Sequence, residues 1–348
     1  RKYFIFIVLL LLVLSGCKVK RQMQEAGMTM PYRKVLKSTD YDLKYDYANK
    51  YLEIGACSNA LPLFEELILI YKLDKRAEDV YYKMAMCHYC LRDYYLAGYY
   101  FKNFARNNLS SDRAEDAFYM SALCKVRISP EFSLDPSDTR AAIEELQLFM
   151  DRYPQSARVD TCNELVDDLQ EKMERKYYEI AKQYHKTRYY KSSAVAFDVL
   201  MEKFPATQFR EEAMYMICKS YYLLAENSIE SKKIERYELT KESYANFRGA
   251  YPESKWLKEL EAYNRKSEIR IEELNDKYMF WEVRDAYRKA ESVAKDEKRK
   301  YYSATVESYL KFVAAFPESR WMNDATDFYE RAQEGLAELN ENKENELE

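Results

Sequence analysis

The chain opens on two contrasting stretches. Tyr3 to Leu14 is an unbroken apolar run, and Lys18 to Met30 has no usable apolar period. Beyond residue 42 apolar side chains return at helical spacing. Residues 78–108 show this best: Tyr81, Met84, Ala85 and His88 form one stripe, Ala97, Phe101 and Phe104 a second, and Asp93-Tyr94 lies between them. Steps of three and four residues place side chains on one face of a helix, so the stretch predicts two helices joined by a turn. The small residues Ala85 and Ala97 let those helices approach closely. Residues 42–71 repeat the pattern with Tyr47, Ala48, Tyr51, Gly55, Ala60 and Phe64, and residues 174–205 repeat it with Tyr177, Ala181, Tyr184, Tyr190 and Phe197.

The hairpin is duplicated at the level of sequence too. Arg76-Ala77-Glu78-Asp79 recurs as Arg113-Ala114-Glu115-Asp116, and the match runs on without a gap through Tyr82 with Tyr119, Ala85 with Ala122 and Cys87 with Cys124. Ala225 to Trp256 aligns with Ala290 to Trp321, about 14 of roughly 32 positions being identical. A shared ending recurs as Tyr153-Pro154-Gln155-Ser156, Phe204-Pro205-Ala206-Thr207, Tyr251-Pro252-Glu253-Ser254 and Phe316-Pro317-Glu318-Ser319. Proline cannot continue a helix, and the Ser or Thr after it can cap the next one. The pattern is tetratricopeptide-like. In series it predicts an all-α fold, a right-handed superhelical solenoid of paired helices. Residues 34–255 read as five repeats, and residues 256–336 as a helical extension with a sixth. Inserts at Ile128 to Asp138 and Asn227 to Arg236 are expected to project as loops, and the acidic tail 337–348 is expected to fray.

The N-terminus changes the picture from a soluble solenoid to an anchored one. Arg1 and Lys2 precede the apolar run, which is short for a permanent membrane span and suits a signal peptide over residues 1–16. The run ends in Leu14-Ser15-Gly16-Cys17, which resembles a bacterial lipobox with Cys17 as the lipid acceptor. Residues 17–33 then read as a lipidated N-terminus and flexible tether of roughly 20 Å reach. Lys18, in place of aspartate, implies by resemblance to enterobacterial sorting that the protein passes to the outer membrane. The absence of an acidic cluster after Cys17 implies that it faces the periplasm.

Composition excludes more than it proposes. The 55 basic and 59 acidic residues give no reason to expect a nucleic-acid partner. There is no GxSxG elbow, no phosphate-binding glycine loop and no HExxH, so no catalytic residues, metal or cofactor are expected. Six cysteines remain besides Cys17, and an even number in an oxidising compartment invites disulfides. The equivalent placing of Cys87 and Cys124 in two repeats argues instead for small buried core residues. Cys87-His88-Tyr89-Cys90 lacks a second ligand pair and is also read as core.

One family combines these features. The lipobox, the lead-in Lys34-Val35-Leu36-Lys37-Ser38-Thr39-Asp40-Tyr41, Ala60-Leu61-Pro62-Leu63-Phe64-Glu65-Glu66-Leu67 and the insert Ser129-Pro130-Glu131-Phe132-Ser133-Leu134-Asp135 resemble the BamD family, lipoproteins of the outer-membrane β-barrel assembly machinery. Ala141 to Pro154 and Tyr189 to Pro205 fit as well, so the resemblance covers residues 1 to 255. It implies five repeats and no catalysis. Its implied partners are a BamA-like barrel protein bound through its POTRA domains, other assembly lipoproteins and unfolded outer-membrane proteins. The family binds BamA through its C-terminal part, and the chain departs by continuing about ninety residues beyond it. Another tetratricopeptide scaffold lipoprotein, serving peptidoglycan or secretion machinery, is the competing reading. A solenoid resembling a lytic transglycosylase is disfavoured because the catalytic domain is missing.

In stacked hairpins the first helix of each pair, helix A, lines the concave surface. The repeat register places Tyr45 and Asn49, then Tyr82, Met86 and Tyr89, then Tyr119 and Leu123 there, with Asp42, Asp79 and Asp116 at the same step in each unit. Tyrosines can cover an extended apolar peptide while their hydroxyls stay wet or bonded, which suits an unfolded barrel strand with alternating aromatics. Two alternatives stand beside this: tyrosines packed between helices, and aspartates placed to interact with helix dipoles.

Overall fold

A computed structural model of the chain describes residues 27–72 and 74–345. The apolar run, Cys17 and the tether as far as residue 26 lie outside the described residues. Among the described residues every regular element is a helix: α1 Tyr32–Lys37, α2 Tyr41–Glu53, α3 Cys57–Ile70, α4 Arg76–Cys90, α5 Tyr94–Asn107, α6 Ala114–Ile128, α7 Ser137–Arg152, α8 Val159–Lys186, α9 Tyr190–Lys203, α10 Arg210–Glu226, α11 Glu230–Ala250, α12 Leu257–Ser292, α13 Lys295–Ala315 and α14 Met322–Asn345. None of them is long and apolar enough to cross a membrane.

The chain divides into two compact units, residues 1–176 and 177–348. In the first, α2 with α3, α4 with α5 and α6 with α7 are the three expected hairpins, each helix packing on the next. The first half of α8 completes the core of this unit through Cys162, Val166 and Leu169. In the second unit the remainder of α8 pairs with α9, α10 with α11, and α12 with α13, followed by α14. Buried Ala85 and Ala97 meet in one cluster, as their size predicts. Gly98 serves the same purpose where α5 crosses α6. A Cβ there would lie 3.1 Å from Cys124 Cβ, and Ser121 Oγ donates to the Gly98 carbonyl.

Three of the tight turns end in one residue of left-handed backbone, Gly55, Arg92 and Arg188. The next residue's N–H then reaches back to a carbonyl five positions earlier: Ala56 to Tyr51, Asp93 to His88 and Tyr189 to Tyr184. This motif closes a helix by bonding carbonyls that would otherwise lack partners.

Several expectations need correction. Cys57 and Cys90 form a disulfide, although the stretch containing Cys90 was expected to serve only as core packing. Antiparallel α3 and α4 bring the first residue of one beside the last residue of the other, and Cys90 reaches the surface there. The other four, Cys87, Cys124, Cys162 and Cys218, are free and buried, in line with the core reading. The segment Asn227 to Arg236 is no loop: α11 already begins at Glu230, and Glu230 pairs with Lys277 of α12 at 2.8 Å. The insert after α6 is a loop, but it is tied down. The Lys176 ammonium donates to the Phe132 and Leu134 carbonyls at 3.1 and 2.7 Å, and the Arg175 guanidinium lies 4.5 Å from the Phe132 ring. The helix expected to begin near residue 174 starts at Val159. No glycine or proline interrupts Val159–Lys186, and the apolar spacing of Cys162, Val166, Leu169 and Met173 continues through it. The acidic tail is helical to Asn345, with Leu336 and Leu339 packed on the Ala290–Tyr302 cluster.

Candidate functional site

The helix A residues expected to line a groove are built into a ladder between repeats. Asp42, Asp79 and Asp116 lie in the first turns of α2, α4 and α6, and Tyr45, Tyr82 and Tyr119 follow one turn later. An arginine at the entrance to the next helix A reaches back to each aspartate. Arg76 meets Asp42 at 2.5 Å, Arg113 meets Asp79 at 2.6 Å, and Arg158 pairs with Asp116. The same guanidiniums lie 5.9, 5.1 and 4.5 Å from the ring centres of Tyr45, Tyr82 and Tyr119. The ladder then runs forward. Tyr45 donates its hydroxyl proton to Asp79 and Tyr82 donates to Asp116, so each of these aspartates joins three consecutive helix A segments.

Burial and the Asp79 carboxylate push the Tyr45 hydroxyl up to about 12, and the same two causes with Asp116 raise Tyr82 further. For Asp79, burial acts to raise its pKa, but hydrogen bonds from Lys83, Tyr45 and Arg113 outweigh it and hold the carboxyl below its ordinary value.

The second unit fills the same position with aromatic rings. Phe209 stacks on Tyr178 at 4.1 Å, Trp256 on Tyr215 at 4.9 Å, and Trp321 on Phe280 at 4.9 Å, with ring planes within 15° of parallel. The hydroxyl that follows the recurring proline sets this residue in place. Thr207, Ser254 and Ser319 accept from the backbone N–H of Phe209, Trp256 and Trp321, as Ser111 and Ser156 do from Arg113 and Arg158. These bonds reach two residues ahead and fix the approach to the helix, so the hydroxyl orients the stacking residue and does not cap the helix itself. Each cation–π or aromatic stack contributes about 0.5–1.5 kcal/mol.

The remaining groove residues can now be placed. Asn49 is half-buried beside the Tyr45 hydroxyl, with its Oδ1 buried and without a partner. Met86 packs against the first-unit core, and Tyr89 meets Tyr94 edge-on at 5.4 Å. Leu123 is half-buried. The structure thus brings Tyr45, Tyr82 and Tyr119 onto equivalent positions of adjacent helices, with two of the three hydroxyls committed to neighbouring repeats. Sequence reasoning missed Arg76, Arg113 and Arg158. For Arg76 and Arg113 the signal was the arginine of the duplicated Arg-Ala-Glu-Asp motif, whose partner lies one repeat upstream; Arg158, followed by Val159-Asp160, lies outside that motif. Among the described residues no group of three or more His, Cys, Asp or Glu could hold a metal ion.

The family model of the outer membrane lipoprotein YfiO matches residues 38–239, from the approach to α2 into α11. The chain belongs to this family. YfiO is the BamD family, so the resemblance drawn from the lipobox and the first insert is met by the repeats themselves. No curated protein matches the chain. A solved tetratricopeptide-repeat protein from Bacteroides fragilis is 10% identical and covers 85% of this chain and 99% of its own, with a TM-score of 0.30, too low to carry an argument. For this YfiO-family chain the tetratricopeptide-like fold rests on its own series of helix hairpins. Helices α12 to α14 lie beyond the family match.

Proposed function

We propose that this chain is a non-catalytic scaffold of the outer-membrane β-barrel assembly machinery, anchored through lipidated Cys17 and facing the periplasm. It docks the POTRA domains of a BamA-like barrel protein, joins other assembly lipoproteins, and engages unfolded outer-membrane proteins before their insertion. The observation that carries this reading is the family match over residues 38–239. Affinity purification of the full lipidated chain from detergent-solubilised envelopes tests it. Recovery of a POTRA-bearing barrel supports the reading, and recovery of a different envelope complex in its place refutes it.

For client engagement the ladder limits what the surface can offer. The committed hydroxyls of Tyr45 and Tyr82 leave ring edges, Met86 and Leu123 to meet an apolar strand. Alanine at the three tyrosines would break inter-repeat contacts and strip the surface together. Met86→Lys with Leu123→Lys is the cleaner test. Weakened binding of a barrel-strand peptide with an unchanged fold supports the groove, and unchanged binding ends it. A different scaffold role at the envelope is the second reading, favoured by the extension α12–α14 outside the family match.

A further inference from the structure

The Cys57–Cys90 disulfide joins two unlike sulfurs. Cys57 is the first residue of α3, is 2% exposed and packs in the core of the first repeat. Cys90 is the last residue of α4 and is exposed. The Gly55 carbonyl lies 3.9 Å from Cys90 Sγ, and Gly55 has no side chain to cover it. Leu91, next in the chain, is 42% exposed. An incoming thiolate can therefore reach Cys90 Sγ, while the packed core closes the way to Cys57.

Electrostatics favour the same direction. When a thiolate attacks one sulfur of a disulfide, the other leaves as a thiolate. Cys57 stands at the positive end of α3, whose first turn carries no acidic residue and no side-chain cap. Cys90 stands at the negative end of α4 with a carbonyl oxygen beside it. Burial opposes a charge at Cys57, but access alone still directs the attack to Cys90. A third sulfur, Cys87, lies three residues before Cys90 on α4. It is buried, and burial pushes its thiol up to about 12, so it stays out of the exchange.

We infer that this pair is an exchange site for a dithiol–disulfide oxidoreductase, with Cys90 carrying the mixed disulfide and Cys57 resolving it. In the oxidising direction the Cys90 thiolate attacks the disulfide of the oxidoreductase and expels one of its sulfurs as a thiolate. The Cys57 thiolate then attacks Cys90 Sγ and expels the second. Two thiols of this chain become one disulfide, the disulfide of the oxidoreductase becomes two thiols, and two electrons and two protons pass between them. The bond so formed fastens the first repeat to the second. The inference rests on the proposed periplasmic location only for the presence of such an oxidoreductase.

The test uses the full lipidated chain in detergent, as Cys57→Ser or Cys90→Ser, with glutathione disulfide as the probe and mass spectrometry as the readout. Cys57→Ser is expected to take glutathione at Cys90 about tenfold faster than Cys90→Ser takes it at Cys57. Equal rates, or the reverse order, overturn the inference. Circular dichroism shows whether each variant keeps its helices. If one does not, the unaltered oxidised chain decides. Reduced glutathione is added, the reaction is quenched with acid, and peptide mapping locates the adduct. Glutathione on Cys90 is expected. Glutathione on Cys57, on both equally or on neither overturns the inference. Failure of the proposed function in the envelope purification leaves these outcomes unchanged, because they involve neither a membrane nor a barrel protein.

Discussion

The aspartate ladder makes a graded prediction about stability. Asp79 is 19% exposed and accepts from Tyr45, from Arg113 at 2.6 Å and from Lys83 at 2.7 Å. Asp116 is 32% exposed and holds Tyr82 and Arg158, whereas Asp42 is 81% exposed and pairs with Arg76. A hydrogen bond to a charged group is worth more the less water competes for it. Asp79→Ala should therefore destabilise the first unit by about 2–3 kcal/mol, since it leaves a half-buried arginine and a tyrosine hydroxyl without their acceptor. Asp42→Ala should cost less than about 1 kcal/mol, as an exposed pair does, with Asp116→Ala in between. Urea unfolding combined with hydrogen exchange of α2 to α6 measures this, because repeats can open separately. The pH dependence has a definite sign. The Asp79 pKa is lowered in the folded chain, so its contribution is fully present above its ordinary value of 3.8 and is lost as pH falls through the lowered folded value. The difference between wild type and Asp79→Ala should thus shrink below about pH 4. Equal costs at the three aspartates, or a difference independent of pH, would refute the reasoning.

Other sites give independent checks. Replacing Cys57 and Cys90 together by Ala should lower stability by about 3–4 kcal/mol in denaturant titrations, the amount expected for a loop of this length. Burial pushes the Cys87, Cys124 and Cys218 thiols up to about 12, so a maleimide at neutral pH should label them only after unfolding; rapid labelling of the native chain would contradict the packing. A Cβ at Gly335 would lie 2.6 Å from the Tyr302 ring, so Gly335→Ala should lower the melting temperature despite alanine's better helix propensity. Arg188→Gly, at a left-handed turn position, should be neutral or stabilising by up to about 1 kcal/mol in the same melts.

The hairpins were legible in the sequence because helical spacing is a local signal, and Tyr81, Ala85, Ala97 and Phe104 fall where it places them. The recurring proline and serine marked the approaches to the helices for the same reason. What went unread is long-range. Arg113 precedes its own helix, but its meaning lies in Asp79, 34 residues earlier, and the insert lengthens the matching step from Asp116 to Arg158 to 42 residues. Cys57 and Cys90 are 33 residues apart in different helices, and only the stacking of α3 on α4 pairs them. Helix α8 was expected to begin near residue 174, where a repeat starts, but no break residue stands there and the helix runs from Val159, so the repeat register and the helix ends need not coincide.

Controlled depletion of this lipoprotein in living cells, with the folded fraction of outer-membrane barrel proteins read from their heat-modifiable migration on gels, tests the central claim most directly. Folded barrels are expected to fall early while other outer-membrane lipoproteins persist. Barrel folding that continues unchanged after the protein is gone would contradict it.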